Sequence, residues 1–187
     1  MGRPTLTTLV LFAVVFAAQV LGEAIGFGLW AFALAWPLLE NPWTLVVSVY
    51  AHGGPAHLAA TTLALVVVGP LVAYVTTPAR FHAFFVGSGA VAGIAQVVTT
   101  IPLGGSSVLG ASGAIFALFG YLLVGNRASE RALSWLPLGS RGQLLLFALL
   151  AGLVTYATAS PGVALVAHFA GFLVGAIAGR LRVLHVR

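Results

Sequence analysis

Too few charges are present in this chain to cover a water-facing surface. Eight basic and three acidic side chains, 6% of 187 residues, stand against 60% hydrophobic ones, whereas soluble domains carry about 25% charged residues. The chain therefore reads as a membrane protein. It contains no cysteine, which removes disulfides, zinc–thiolate sites and thiol nucleophiles together.

Six apolar segments follow one another, roughly Thr5–Leu21, Ala56–Val75, Phe81–Thr100, Ala111–Gly125, Gly142–Thr158 and Val163–Leu181. Each is near the ~20 residues a spanning helix needs, the first, fourth and fifth being a little short. Between the first two, Gly22–Pro55 is rich in Trp, Phe, Pro and Gly. Its Trp30, Trp36 and Trp43 suit the headgroup region, so an interfacial, partly helical loop is expected there. No repeat or soluble domain interrupts the pattern, which predicts one all-α membrane domain over residues 1–187. The first segment also fits a secretory signal peptide, with Arg3 ahead of an apolar run and small residues up to "VLGEA".

The basic residues are all arginines: Arg3, Arg80, Arg127, Arg131, Arg141, Arg180, Arg182 and Arg187. With six helices they fall at the N-terminus, the second-third loop, the fourth-fifth loop and the C-terminus, all on one side. The opposite loops hold Glu23 and Glu40 and no base, and Glu130 joins the arginine side. Positive-inside bias then places both termini in the cytoplasm. The formal net charge of +5 is a topology signal and not a nucleic-acid footprint.

In that orientation the even-numbered helices run inward, and the unexpected polar side chains gather at their outer ends. His52 and His57 precede or open the second helix, Ser112 opens the fourth, and His168 lies about five residues into the sixth. Ionisable residues inside spans are functional-site candidates by default. His168, Gly171, Gly175 and Gly179 share one helical stripe, and glycines at that spacing admit a neighbouring helix. Ser112, Phe116 and Gly120 form a second stripe, with Gly113 beside it. Should the two faces meet, Ser112 and His168 come within reach of each other. The plainer alternative makes Ser112 a packing residue and His168 a satisfied core histidine.

A serine hydroxyl beside a neutral histidine offers nucleophilic catalysis. The acids lie in the outer loop or on the cytoplasmic side, so a dyad is expected without a carboxylate. "GASGA" is not the G-x-S-x-G elbow, because position 114 is Ala. His52, His57 and His168 could instead share a metal, although H-E-x-x-H and a nearby carboxylate pair are both missing. His82 and His185 sit at cytoplasmic ends and read as interfacial.

At these residues the chain resembles the rhomboid family of intramembrane serine proteases. The family's G-x-S-G matches Gly110-Ala111-Ser112-Gly113, and A-H-x-x-G-x-x-x-G matches Ala167-His168 with Gly171 and Gly175. Its H-x-x-x-x-H-x-x-x-N matches His52 and His57 but meets Thr61 where Asn is expected. The resemblance implies a six-helix bundle with a long first outer loop, and no cofactor. It implies Ser112 as nucleophile and His168 as general base. His57 and the Ser112 N–H would hold the oxyanion, His52 would support the site, and Gly110 to Gly113 would let the backbone approach substrate. The implied substrates are transmembrane proteins in lipid, cut near the outer boundary beside small residues.

Three departures stand out. Thr61 either donates its hydroxyl to the oxyanion or satisfies it on the carbonyl one turn back. Phe116 stands where a Tyr commonly packs on the catalytic His, and Trp43-Thr44 replaces a Trp-Arg pair. A non-catalytic relative that binds or escorts transmembrane segments is the alternative function, and a small transporter or channel a third. The lack of Lys with the Arg, Ala, Gly and Val bias suits a prokaryotic cell membrane.

Overall fold

The computed structural model describes residues 3–126, 131, 133–136, 138–158 and 163–186; Arg127, Glu130 and Arg187 lie outside them. Six long helices form the bundle: α1 (Arg3–Ala24), α2 (Pro55–Val75), α3 (Pro78–Thr100), α4 (Ser112–Val124), α5 (Ser140–Ala157) and α6 (Leu165–Arg180). Among the described residues the only β pairing is an isolated bridge between Leu34 and Val108. The fold is an all-α membrane bundle.

Local chemistry places the helix starts. Pro55 and Pro78 occupy first-turn positions, where a missing N–H is harmless. The Thr77 hydroxyl caps α3 by accepting from the Arg80 N–H at 3.3 Å. Four helices, α1, α2, α3 and α5, are long and apolar enough to cross a membrane. α1 has 22 residues and outruns its apolar core. The other two are shorter than the expected segments, α4 with 13 residues and α6 with 16. At ~1.5 Å per residue they span roughly 20 and 24 Å, less than the ~30 Å hydrocarbon core. Gly110, at φ +134°, turns the chain into α4 only at Ser112.

α4 is the centre. It packs on α6, α3 and α2, while α1 packs on α2 and α3 and α5 lies against α6. The α4–α6 contact is backbone against backbone. A methyl on Gly171 would collide with the Gly113 carbonyl, one on Gly175 with the Ala117 carbonyl, and one on Gly120 with the Phe172 carbonyl. Around this seam lie two apolar clusters. Phe12, Leu65, Phe81, Phe85, Ile115 and Leu118 fill one, and Phe147, Ala151, Phe172 and Ala176 the other. The C-terminal tail closes the far end: Leu184 is buried, and the Val186 N–H donates to the Val75 carbonyl at 3.1 Å. His185 belongs to this anchor, its Nδ1 2.5 Å from the Tyr121 hydroxyl.

The expected interfacial loop contains a 3₁₀ turn at Leu29–Ala31 and a helical turn at Thr44–Val47. The Trp43 indole N–H ties them by donating to the Ala31 carbonyl at 2.9 Å. Trp30, Trp36 and Trp43 are all exposed. Leu34 and Val108 exchange two backbone hydrogen bonds of 2.8 Å, and the Gly110 N–H donates to the Ser48 carbonyl at 2.8 Å. The loop thus holds the strand of chain that leads into Ser112.

Because the seam has no room for a methyl, Gly175→Ala is expected to lower the thermal unfolding midpoint in detergent by about 5–10 °C, the effect of an overpacking penalty of about 1–3 kcal/mol. Gly87→Ala, on an α3 face with open space around it, is the control and should unfold at or slightly above the parental temperature. Equal midpoints for the two variants would place the stripe outside the helix interface.

Candidate active site

Ser112 is the first residue of α4. Its backbone N–H therefore has no intrahelical acceptor, and the partial positive end of the helix lies at the same point. Gly110, two residues earlier, lies against the second histidine. A Cβ there would sit 2.7 Å from His57 Cε1 and 3.0 Å from His57 Nε2. Glycine is required at this position both by φ and by the ring.

His57 is the third residue of α2. Its Nδ1 accepts a long hydrogen bond, 3.4 Å, from the Gly53 N–H. A neutral imidazole that accepts at Nδ1 carries its proton on Nε2. That Nε2–H edge of the ring lies against Gly110. The His52 ring stands edge-on to His57, centroids 5.4 Å apart, and edge-on to Phe12 of α1 at 4.8 Å. Burial, with His57 the lesser cause and the Tyr50 carbonyl opposing, pushes His52 down to about 4. The ring is neutral at pH 7.

Thr61 lies one turn beyond His57, and its hydroxyl is taken up inside this scaffold. Oγ1 is 2.8 Å from His52 Nε2, 3.0 Å from the His57 carbonyl and 3.1 Å from the Leu58 carbonyl. A hydroxyl has one proton to donate. In either His52 tautomer that proton goes to the ring or to a helix carbonyl. The geometry gives the Thr61 hydroxyl partners in His52 and in the carbonyls of its own helix.

His168 is the fourth residue of α6 and is buried. Phe116 stacks on it, centroids 4.1 Å apart and planes 18° from parallel, so the ring contact expected of an aromatic at 116 is present without a hydroxyl. Thr158 Oγ1 lies 3.5 Å from His168 Nδ1 while it donates to the Val154 carbonyl at 2.9 Å. With its proton on the Val154 carbonyl, the hydroxyl offers His168 Nδ1 a lone pair, an arrangement that favours a proton on Nδ1 and a basic Nε2. On the α4 side, Gly113 meets Ala92 and the Ala167 carbonyl, so the residues following Ser112 and preceding His168 touch. No hydrogen bond joins Ser112 Oγ to His168, a bond that in substrate-free hydrolases is often long and tightens on binding.

Ser112, His57, Gly110 and Gly113 are thus gathered at one end of the bundle with His168 and Phe116, and His52 and Thr61 stand behind His57. Gly171 and Gly175 lie deeper, in the seam. A cavity of about 10 Å³, the volume of roughly one water, lies among Ser48, Gly93, Gly110, Ser112, Gly113 and Ala167. Three contributors escaped the sequence reading. Gln19 of α1 clasps the His52 main chain with both ends of its carboxamide. Gln96 of α3 accepts from the Ala167 N–H at 3.2 Å, capping α6 one residue before His168. Thr158 orients the His168 ring. Polar residues in otherwise apolar helices were their only sequence signal.

Comparison with known proteins is consistent with this geometry. The family model described as the Rhomboid domain matches residues 39–185. A candidate rhomboid protease of Bacillus subtilis (strain 168), YdcA, is 37% identical over 81 residues. That stretch covers 43% of this chain and 40% of YdcA, so less than half of either protein is aligned.

The Thr61–His52 pair carries its own expectation. Thr61→Val keeps the shape but leaves a buried imidazole nitrogen without its partner, a loss of about 1–3 kcal/mol. The unfolding midpoint in detergent at pH 7 should fall by about 3–10 °C. An unchanged midpoint would remove the pair from the scaffold.

Proposed function

The chain belongs to the rhomboid family, and we propose that it is an intramembrane serine endopeptidase that cuts transmembrane segments near the outer membrane boundary through Ser112 and His168. The observation that carries this reading is the α4–α6 seam. Gly113 against Gly171 brings the two helix starts together, so the nucleophile and the base stand at one end of the bundle.

In the proposed reaction Ser112 Oγ attacks the scissile carbonyl carbon and its proton passes to His168 Nε2. The oxyanion accepts from the Ser112 N–H, free at the start of α4, and from His57 Nε2–H, whose tautomer the Gly53 N–H favours. His168 then gives the proton to the leaving amine. A water activated by the same nitrogen attacks the acyl-enzyme, and its proton returns through His168 to Ser112. Gly110 keeps side chains out of the space the carbonyl enters. His52, neutral and buried, supports His57 and transfers no proton. Both termini lie in the cytoplasm in this reading, the arginine-bearing ends of the helices facing inward.

Incubation of the purified protein in detergent with a fluorophosphonate is expected to label Ser112, fluoride leaving as the serine oxygen bonds phosphorus. Ser112→Ala and His168→Ala should each cut hydrolysis of a transmembrane substrate by at least about 10³-fold, with the double variant no worse than either. A Ser112→Ala protein keeping a tenth of parental activity would overturn the assignment, and a folded parent that neither labels nor cleaves would point to a binding role. For orientation, alkaline phosphatase fused after Arg187 should stay inactive in bacteria while a fluorescent protein fused there lights up. The opposite pattern would invert the topology.

A further inference from the structure

Gln19 lies on α1, a helix outside the stretch that the family model matches. It is 2% exposed, between the apolar residues Phe16 to Ala18 and Val20 to Leu21. An unpaired carboxamide there would be costly. Both of its ends are paired, and with one residue: Nε2–H donates to the His52 carbonyl at 3.1 Å, and Oε1 accepts from the His52 N–H at 2.9 Å. Phe12, seven residues earlier and so on the same face of α1, packs on the His52 ring.

The His52 carbonyl and the Gly53 N–H belong to one planar peptide group. Gln19 grips the carbonyl edge of that plane, and its opposite edge donates to His57 Nδ1 at 3.4 Å. Holding the carbonyl sets the direction of the N–H, and a carbonyl that accepts a hydrogen bond polarises its own peptide N–H into a better donor. Between the Ala51 N–H, which donates to the Val47 carbonyl at 3.1 Å, and the Gly54 carbonyl, which accepts from the Leu58 N–H at 3.0 Å, His52 and Gly53 make no helical backbone hydrogen bond. Two glycines follow His52, so the plane has little else to fix it.

We propose that Gln19 is a positioning residue for the reaction, acting through the His52–Gly53 peptide to hold His57 as the Nε2–H tautomer that donates to the oxyanion. This rests on the proteolytic reading above. Without the clasp, the plane rotates and His57 Nδ1 loses its donor. The ring can then take its proton on Nδ1 and present a lone pair to the oxyanion.

Three variants of the full chain in detergent test it. Gln19→Leu removes both hydrogen bonds at similar volume. Gln19→Glu keeps the acceptor for the His52 N–H and loses the amide donor. Thr8→Val changes a buried α1 residue far from the His52 loop. Gln19→Leu should lower kcat by about 10- to 100-fold with KM within about twofold, and should slow phosphonylation of Ser112 in parallel. Gln19→Glu should fall in the same direction, while Thr8→Val keeps the parental kcat whatever it does to the melting temperature. Nitrogen-15 spectra of labelled histidine should show the His57 Nε2–H tautomer in the parent and its loss in Gln19→Leu. Parental kcat in whichever Gln19 variant folds, or an unchanged His57 tautomer, would overturn the proposal. The tautomer can be read without cleavage, so a parent that fails to cleave would sink the proteolytic reading without deciding this one.

Discussion

Everything at the candidate site depends on two backbones touching. Apolar side chains gain nothing by leaving lipid for one another, so helices in a bilayer associate through close packing. Here the closest packing available is used, with Gly171 and Gly175 of α6 resting on carbonyls of α4. That contact decides where Ser112 and His168 stand, because each lies within one turn of it. It also helps bury most of α4: Ala114, Ala117, Leu118 and Gly120 are buried and α3 and α2 pack on it as well, while Phe119 and Leu123 keep one edge exposed.

Length is the second constraint. A helix of 13 residues falls roughly 10 Å short of the hydrocarbon thickness, and α6 falls short as well. The chain following α6 is tied to the end of α2 through the Val186 N–H and the Val75 carbonyl. The loop carrying Trp30, Trp36 and Trp43 folds over the opposite end and is sewn to the approach to Ser112 through Leu34–Val108 and Gly110–Ser48. Hydrolysis inside a membrane needs a polar depression shielded from lipid. In the proposed reaction, short central helices roofed by a loop would supply one without any break in the long spans.

The sequence made legible what is periodic or local. The glycine stripe on α6, the serine at a helix start, the histidines flanking Gly53-Gly54 and the tryptophan-rich loop each show in a window of a dozen residues. Gln19, Gln96 and Thr158 did not, because their meaning lies in partners 33, 71 and 10 residues away. A lone carboxamide in an apolar helix looks the same whether it faces lipid, water or a loop backbone. Thr61 was legible as a departure and open in its consequence: its hydroxyl stops short at His52 and the carbonyls of its own helix.

Among the described residues no carboxylate pairs with His168, and this has a physical basis. In soluble serine hydrolases a buried acid holds the histidine in its tautomer and stabilises the imidazolium. At membrane depth an ionised carboxylate would carry a large desolvation penalty, and Glu23, in the last turn of α1, and Glu40, in the following loop, are exposed. The two tasks are separated here. The groups beside the ring nitrogens are neutral, the Thr158 hydroxyl at His168 Nδ1 and the Gly53 N–H at His57 Nδ1. Phe116 stacked on His168 offers its π face to a cationic ring, a contribution of about 0.5–2 kcal/mol at the moment the proton arrives. In the proposed reaction, charge on the substrate oxygen would meet the N-terminal end of α4, whose dipole needs no counterion. A site assembled from dipoles, hydroxyls and an aromatic face stays neutral at rest, and that is the condition for keeping it inside a bilayer.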